Sequence, residues 1–192
     1  MRRRAWFVVA ASMVAVLAAC GLPQDGSPRA ISPEKVPHGL LGPSSTARGN
    51  EPGGETFTLY FLNGDRLQPT SRRLVSPRID DVLIALIAGP AKDDPSTLKS
   101  AVPTETHVVR TELNDNILTI VLSKEILGPQ GPVQESAFAQ LVFTATDLDG
   151  VNQVRFRVVG ADGNETAVNP QTDSGAKEGP LTRADYASLQ PG

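Results

Sequence analysis

Between Thr56 and Leu62 ("TFTLYFL") apolar and polar positions alternate, with Phe57, Leu59 and Phe61 on one side of an extended chain and Thr58 and Tyr60 on the other. That period of two predicts a half-buried strand. "NGDRLQPTSRR" then turns the chain toward a second, short extended piece around Leu74–Val75. The period changes in "SPRIDDVLIALIAGP", where Ile79, Val82, Leu83, Leu86 and Ile87 recur at the spacing of one helical face. Ser76 is the expected N-cap and Pro77 the first helical residue, since proline lacks an N–H that would be unpaired there anyway. Asp80 and Asp81 suit the positive end of the helix dipole, and Gly89–Pro90 ends the run.

"KDDPSTLKSAVPTET" reads as a long polar loop. "HVVRTEL" and "ILTIVLS" follow as two strands, joined at Asn114–Asn116 by residues that tolerate the positive φ of a tight turn. A second amphipathic helix is expected over about Val133–Asp147, with Ala137, Phe138, Leu141, Val142 and Ala145 on one face and Gly150 past its end. "VNQVRFRVV" is another strand, and "GADGNETAV" a turn into a short final one. The order β-α-β-β-α-β plus an edge strand predicts an α/β (α+β) domain. In it, two helices pack on one face of a small mixed sheet as a two-layer sandwich. After Asn169 the pattern loosens, and "LTRADYASL" closes the chain as a short docked helix. There Thr182 and Asp185 are spaced for capping, and Tyr186 and Leu189 share a face.

The beginning of the chain follows a different logic. Arg2–Arg4 precede fifteen uncharged residues, Ala5–Ala19, and the lone cysteine follows at Cys20. This is the layout of a secretory signal, short for a permanent span of a hydrocarbon core roughly 30 Å thick. Leu17, Ala18, Ala19 and Cys20 resemble the lipobox of bacterial lipoproteins. The resemblance implies cleavage before Cys20, with Leu17, Ala18 and Ala19 read by the signal peptidase and a diacylglyceryl group on the Cys20 sulfur. Two acyl chains hold a protein stably where one is marginal. Residues 20–54, rich in proline and glycine, read as a tether between that anchor and the domain at 55–169, with 170–192 as a C-terminal extension. The apolar cluster "VPHGLL" in the tether, with Leu40 and Leu41, is a candidate for docking on the domain.

Composition narrows the partners. The chain carries 18 basic and 21 acidic side chains, and removal of Met1–Ala19 with its three arginines takes the net charge from −3 to −6. No basic run follows residue 4, which argues against nucleic acid as a partner. One cysteine allows neither an internal disulfide nor a cysteine-based zinc site.

Six stretches, "TLYFLNGDRLQPTSRRL", "IDDVLIALIAGP", "SAVPTETHVV", "LTIVLSKEIL", "AFAQLVFTATDLDGVNQVRFRVVG" and "DYASL", together resemble the GerMN domain of sporulation and spore-germination proteins. The resemblance covers roughly residues 55–160, and is to short lipoproteins of actinobacteria in particular. It implies an extracytoplasmic, membrane-anchored protein whose domain serves assembly and interaction in the envelope. It supplies no catalytic residue and no cofactor.

Chemistry sought independently of that resemblance does not assemble. "STLK" (Ser96–Lys99) matches S-x-x-K, but lies in a proline-flanked loop without the companion motifs of penicillin-recognising enzymes. "DLDG" (Asp147–Gly150) begins like a calcium loop, yet the position needing a bidentate Glu holds Val158. His38 and His107 have no Ser, Cys or carboxylate at useful spacing, so neither a catalytic nor a metal role is assigned. Asn164–Thr166 is a glycosylation sequon with little meaning in a bacterial protein. Phe57, Tyr60, Phe61, Phe138, Phe143 and Phe156 sit mostly at core-facing spacing. The expectation is a non-enzymatic lipoprotein anchored to the membrane through Cys20, whose domain binds a protein or cell-wall partner. The alternative is a small-ligand carrier or enzyme accessory of the envelope.

Overall fold

The computed structural model describes residues 54–75 and 77–192. The expectations for Leu17–Cys20, His38, "VPHGLL" and the tether fall outside these residues. Strand β1 (Glu55–Asn63) carries the predicted alternation and pairs antiparallel along its whole length with β2 (Arg66–Leu74). The sequence reading gave β2 only a short piece near Leu74–Val75, because "RLQPTSRRL" is polar and holds Pro69. Both features belong to an edge strand. Pro69 lies opposite Tyr60, whose N–H and C=O both turn away from β2, so the N–H that Pro69 lacks would have faced outward.

Helix α1 (Ile79–Ile87) buries Val82, Leu83, Leu86 and Ile87, the predicted stripe, and Gly89 follows it with a φ of +84°. Its start is corrected. Arg78 is the N-cap rather than Ser76, and its N–H donates to Asp81 Oδ2 at 2.8 Å. Asp81 thus caps from inside the first turn, as an acidic residue there can. The polar loop that follows contains β3 (Leu98–Lys99), a two-residue addition to the end of β1.

β4 (Val108–Asn114) and β5 (Ile117–Ser123) form the expected hairpin, with Asp115 and Asn116 at φ +49° and +63°. Two consecutive left-handed residues match the twist of the flanking strands. Asn116 Nδ2 also donates to Gly150 O at 2.7 Å, tying the turn to the end of the second helix. Asn116→Ala should therefore cost about 1–2 kcal/mol, read as a lower urea midpoint with unchanged slope. A cost within a few tenths would show that the turn does not hold the hairpin.

Helix α2 (Pro132–Ala145) stops two residues short of the expected Asp147, with Thr146 as C-cap. It crosses from β5 to β6 (Gln153–Val159), which runs parallel to β5, and the short β7 (Glu165–Ala167) closes that sheet in the order β4-β5-β6-β7. The α+β class and the layered packing stand as expected. The strands, however, form two principal sheets, β2-β1-β3 and β4-β5-β6-β7, instead of one. The reason is α2, whose residues from Ala137 to Ala145 are all buried. Gln140 and Thr144, on its nominally polar side, bind the open edge of β1: Gln140 Nε2 donates to Tyr60 O at 2.9 Å, and Tyr60 N donates to Thr144 Oγ1 at 3.1 Å. Ala101 N donates to Gln140 Oε1 at 2.6 Å. Helix side chains stand where another strand would be. Phe138 meets Phe156 edge-on at 4.9 Å on the opposite flank.

Beyond residue 169 come β8 (Gln171–Thr172) and β9 (Gly175–Ala176), a two-stranded ribbon, then a 3₁₀ helix over Arg183–Leu189. Leu181 exchanges both backbone hydrogen bonds with Val154 at 2.9 and 2.7 Å, extending the free edge of β6. Tyr186 is fully buried, and Thr182 N donates to Asp185 Oδ2 at 2.7 Å, the capping contact the spacing predicted.

Candidate functional site

The densest polar constellation joins β1, the end of α2 and the C-terminal 3₁₀ helix. Arg183 lies over the rings of Tyr60 and Phe143, at 5.3 and 5.2 Å from their centroids. Its nitrogens donate to Thr146 Oγ1 at 2.7 Å, and to Phe143 O and Asp147 Oδ1 at 2.9 Å each. Tyr60 Oη donates to the same Asp147 oxygen at 3.3 Å. Burial alone would raise the Asp147 carboxyl, but hydrogen bonds from Arg183 and Thr58 outweigh it and hold it below the usual range. Burial pushes the Tyr60 phenol up, with the Arg183 charge working against it. Every group here is matched by a neighbour, so the cluster works as a clasp on the last helical carbonyls and exposes no activated acid or base.

Two further clusters are likewise paired. Arg110 and Arg157 both bind Glu165 across the outer face of the second sheet, at 2.9 and 3.0 Å. Arg72 holds Asp94 at 2.7 Å.

A depression of about 290 Å³ lies between the second half of α1 and the start of β4, lined by Ile84, Ile87, Ala88, Thr104, Thr106, His107 and Val108. Its rim is apolar and accessible. Ile84, in that lining, is 51% exposed; Val109, the next residue along β4, lies outside the lining and is 52% exposed. In its wall Thr106 is buried with no hydrogen-bond partner for Oγ1 among the described residues. β4 also ends its sheet, so among the described residues no strand pairs with its outer backbone edge. In a hairpin closed by Asp115–Asn116, the N–H and C=O groups of Thr111 and Leu113 point to that edge.

The motifs singled out in the sequence fall elsewhere. Ser96 and Lys99 are exposed, and Leu98–Lys99 pairs with β1 instead of opening a buried helix. Asp147 of "DLDG" is bound to Arg183, and Val158 is buried in β6. His107 is exposed, its backbone N–H donating to Ser123 Oγ at 2.9 Å. Among the described residues no three His, Cys, Asp or Glu side chains converge as a metal site. The sequence reading missed Gln140, Thr144 and Arg183. The one signal for the surface groove was Ile84, an isoleucine off the apolar stripe of α1.

The family model "Germane: Sporulation and spore germination" matches residues 58–164. The chain belongs to the sporulation and spore germination family. In fold it is similar to the tandem GerMN domains of the sporulation protein GerM from Bacillus subtilis. That likeness has 23% identity and a TM-score of 0.54, over 77% of this chain and 50% of that one. The first GerMN domain of the same protein aligns with 15% identity and a TM-score of 0.51, over 68% of this chain and 98% of that one. The chain thus spans half the length of the tandem protein and the whole of a single GerMN unit. No curated protein matches it. The family match begins within β1 and covers both α-helices and the strands of both principal sheets up to β6, with β7 beyond its end. The C-terminal ribbon and 3₁₀ helix lie beyond it.

Proposed function

We propose that this member of the family is an extracytoplasmic lipoprotein, held on the cell membrane by a diacylglyceryl group on Cys20, whose domain acts by contact with an envelope protein. The observation that carries the reading is the "LAAC" sequence, Leu17–Cys20, ending a signal-like leader upstream of a sporulation and germination domain. Leu17, Ala18 and Ala19 would be read by the signal peptidase, residues 20–54 would give reach, and residues 55–169 would carry the binding surface. The arrangement of charged groups supports contact over catalysis, because Asp94, Asp147, Glu165 and Asp185 are each engaged by a cation inside the fold. The surface best suited to a partner is the face that joins the Ile84 groove to the free edge of β4, where side-chain pockets and backbone groups are offered together.

Two measurements test this reading. Cys20→Ala should move the mature protein from the membrane fraction to the soluble extracytoplasmic fraction, and retention on membranes would sink the anchor. A photocrosslinking residue at Ile84 or Val109 should give a discrete adduct in intact cells, whereas one at the exposed Asp162 loop should not. Equal labelling from all three positions would remove the α1–β4 face as the contact. A small-ligand role is the second reading, favoured by the unpartnered Thr106 hydroxyl in the groove. It predicts instead that Thr106→Val abolishes binding while the Ile84 crosslinker captures no protein.

A further inference from the structure

Among the described residues, the open sheet edges differ in how they are guarded against pairing with another chain. β2 holds Pro69 and three arginines, Arg66, Arg72 and Arg73. β3, β8 and β9 are two residues long, and β7 is three. β4 has seven residues, with neither proline nor lysine and with side chains of both charges. Its bulge at Val109, between Val108 and Arg110, guards only its beginning. Val109 and Leu113 are apolar and exposed on it. A run of this kind is a template for a strand from another chain.

The residues of β4 specify the strand that fits. Arg110 and Glu112 stand on either side of Thr111, and Val109 and Leu113 one position further out. A second β4, laid antiparallel with Thr111 against Thr111, sets each Arg110 opposite Glu112 of the other copy. The same register sets each Val109 opposite Leu113. Backbone direction selects this register too. Thr111 turns its N–H and C=O outward, so two facing threonines exchange a pair of hydrogen bonds. Arg110 and Glu112 then meet as a non-hydrogen-bonded pair, the kind whose side chains approach most closely. Moving the centre by one residue puts arginine against arginine or glutamate against glutamate, with their backbone groups turned away from the seam. Centring on Leu113 loses both charge pairs and runs into the Asp115–Asn116 turn. Within one copy Arg110 already binds Glu112 at 3.1 Å. In the pair, two arginines and two glutamates alternate around a square, and each gains a neighbour of opposite charge.

We infer that the partner of this edge is a second copy of the chain, its β4 paired antiparallel about a two-fold axis at Thr111. The four-stranded sheets of the two copies then run on as one. This rests on the contact face proposed above and names its occupant. The seam runs from Val109 to Leu113, bounded by the bulge at one end and the turn at the other. So short a seam makes a reversible contact and not an obligate dimer.

The test uses the full chain in intact cells, as two differently tagged copies, one with a photocrosslinking residue at Val109. The adduct should contain both tags. Glu112→Arg in both copies sets arginine against arginine twice and should lower the adduct by about tenfold or more. Arg110→Glu in both copies should do the same. One Glu112→Arg copy beside one Arg110→Glu copy has opposite charges at both positions again and should recover the adduct, which an unfolded variant could not do. An adduct whose second component is another protein would overturn self-pairing while leaving the α1–β4 face as the contact. Absence of any adduct from Val109 and from Ile84 would remove the face, and the pair with it. Undiminished labelling in either single variant, or no recovery in the mixture, would overturn the pairing.

Discussion

Replacing Gln140 by leucine should destabilise the domain by about 3 kcal/mol or more, despite the similar volume and greater apolarity of leucine. The amide has two partners on different segments, the buried Tyr60 O and the half-buried Ala101 N, and it satisfies one with its donor and the other with its acceptor. Leucine leaves Tyr60 O buried and unpaired and Ala101 N half-buried and unpaired, and a buried group left so costs about 1–3 kcal/mol. No cavity forms, so the loss measures polar satisfaction and not packing. Gln140→Glu separates the two bonds, since a carboxylate still accepts from Ala101 but offers Tyr60 O nothing. Urea titration of the full chain followed by far-UV circular dichroism reads the effect. A loss below about 1 kcal/mol for Gln140→Leu would mean that β1 finds another partner for its edge.

The second large effect is expected at Arg183. Arg183→Met keeps an apolar stem over Tyr60 and Phe143 but removes three donors to the end of α2. The Arg183 side chain is 35% exposed, so solvent screens part of its pairing with Asp147. A loss of about 2 kcal/mol is expected, carried chiefly by the bonds to Phe143 O and Thr146 Oγ1. Asp147→Asn alone should cost less, and the double variant should cost less than the sum of the two, because the groups share one bond. Full additivity would separate Arg183 from Asp147 in solution. The sign with pH is fixed by the lowered Asp147 carboxyl: its contribution is complete above its unfolded pKa and disappears as pH falls through the folded value. Wild type should thus lose more stability on acidification than Asp147→Asn.

The elements that were legible in the sequence are those whose signal is local. The apolar stripe of α1, the alternation of β6 and the positive-φ pair Asp115–Asn116 each carry their own instruction. β2 was read short because an edge strand has one solvated flank and tolerates Pro69 and arginines, which removes the alternation a reader counts. The environment of α2 was missed for another reason. Hydrophobic periodicity assigns glutamine and threonine to solvent, whereas Gln140 and Thr144 are buried because a strand edge needs them. Nothing within ten residues of Gln140 announces that edge. The groove between α1 and β4 is likewise a product of tertiary placement, with Ile84 its sole local trace.

That same helix governs the order in which the chain can become native. β1 and β2 leave the ribosome well before their edge can be completed. Gln140 and Thr144 lie 80 and 84 residues downstream of Tyr60. Until α2 has emerged, the first hairpin presents a row of unpaired backbone groups to whatever is nearby, the condition under which strands aggregate or engage chaperones. Contacts this distant also slow the search for the native state. A cut anywhere between β2 and α2 should therefore yield no folded fragment from the first half. The amino-terminal hairpin has no native state of its own.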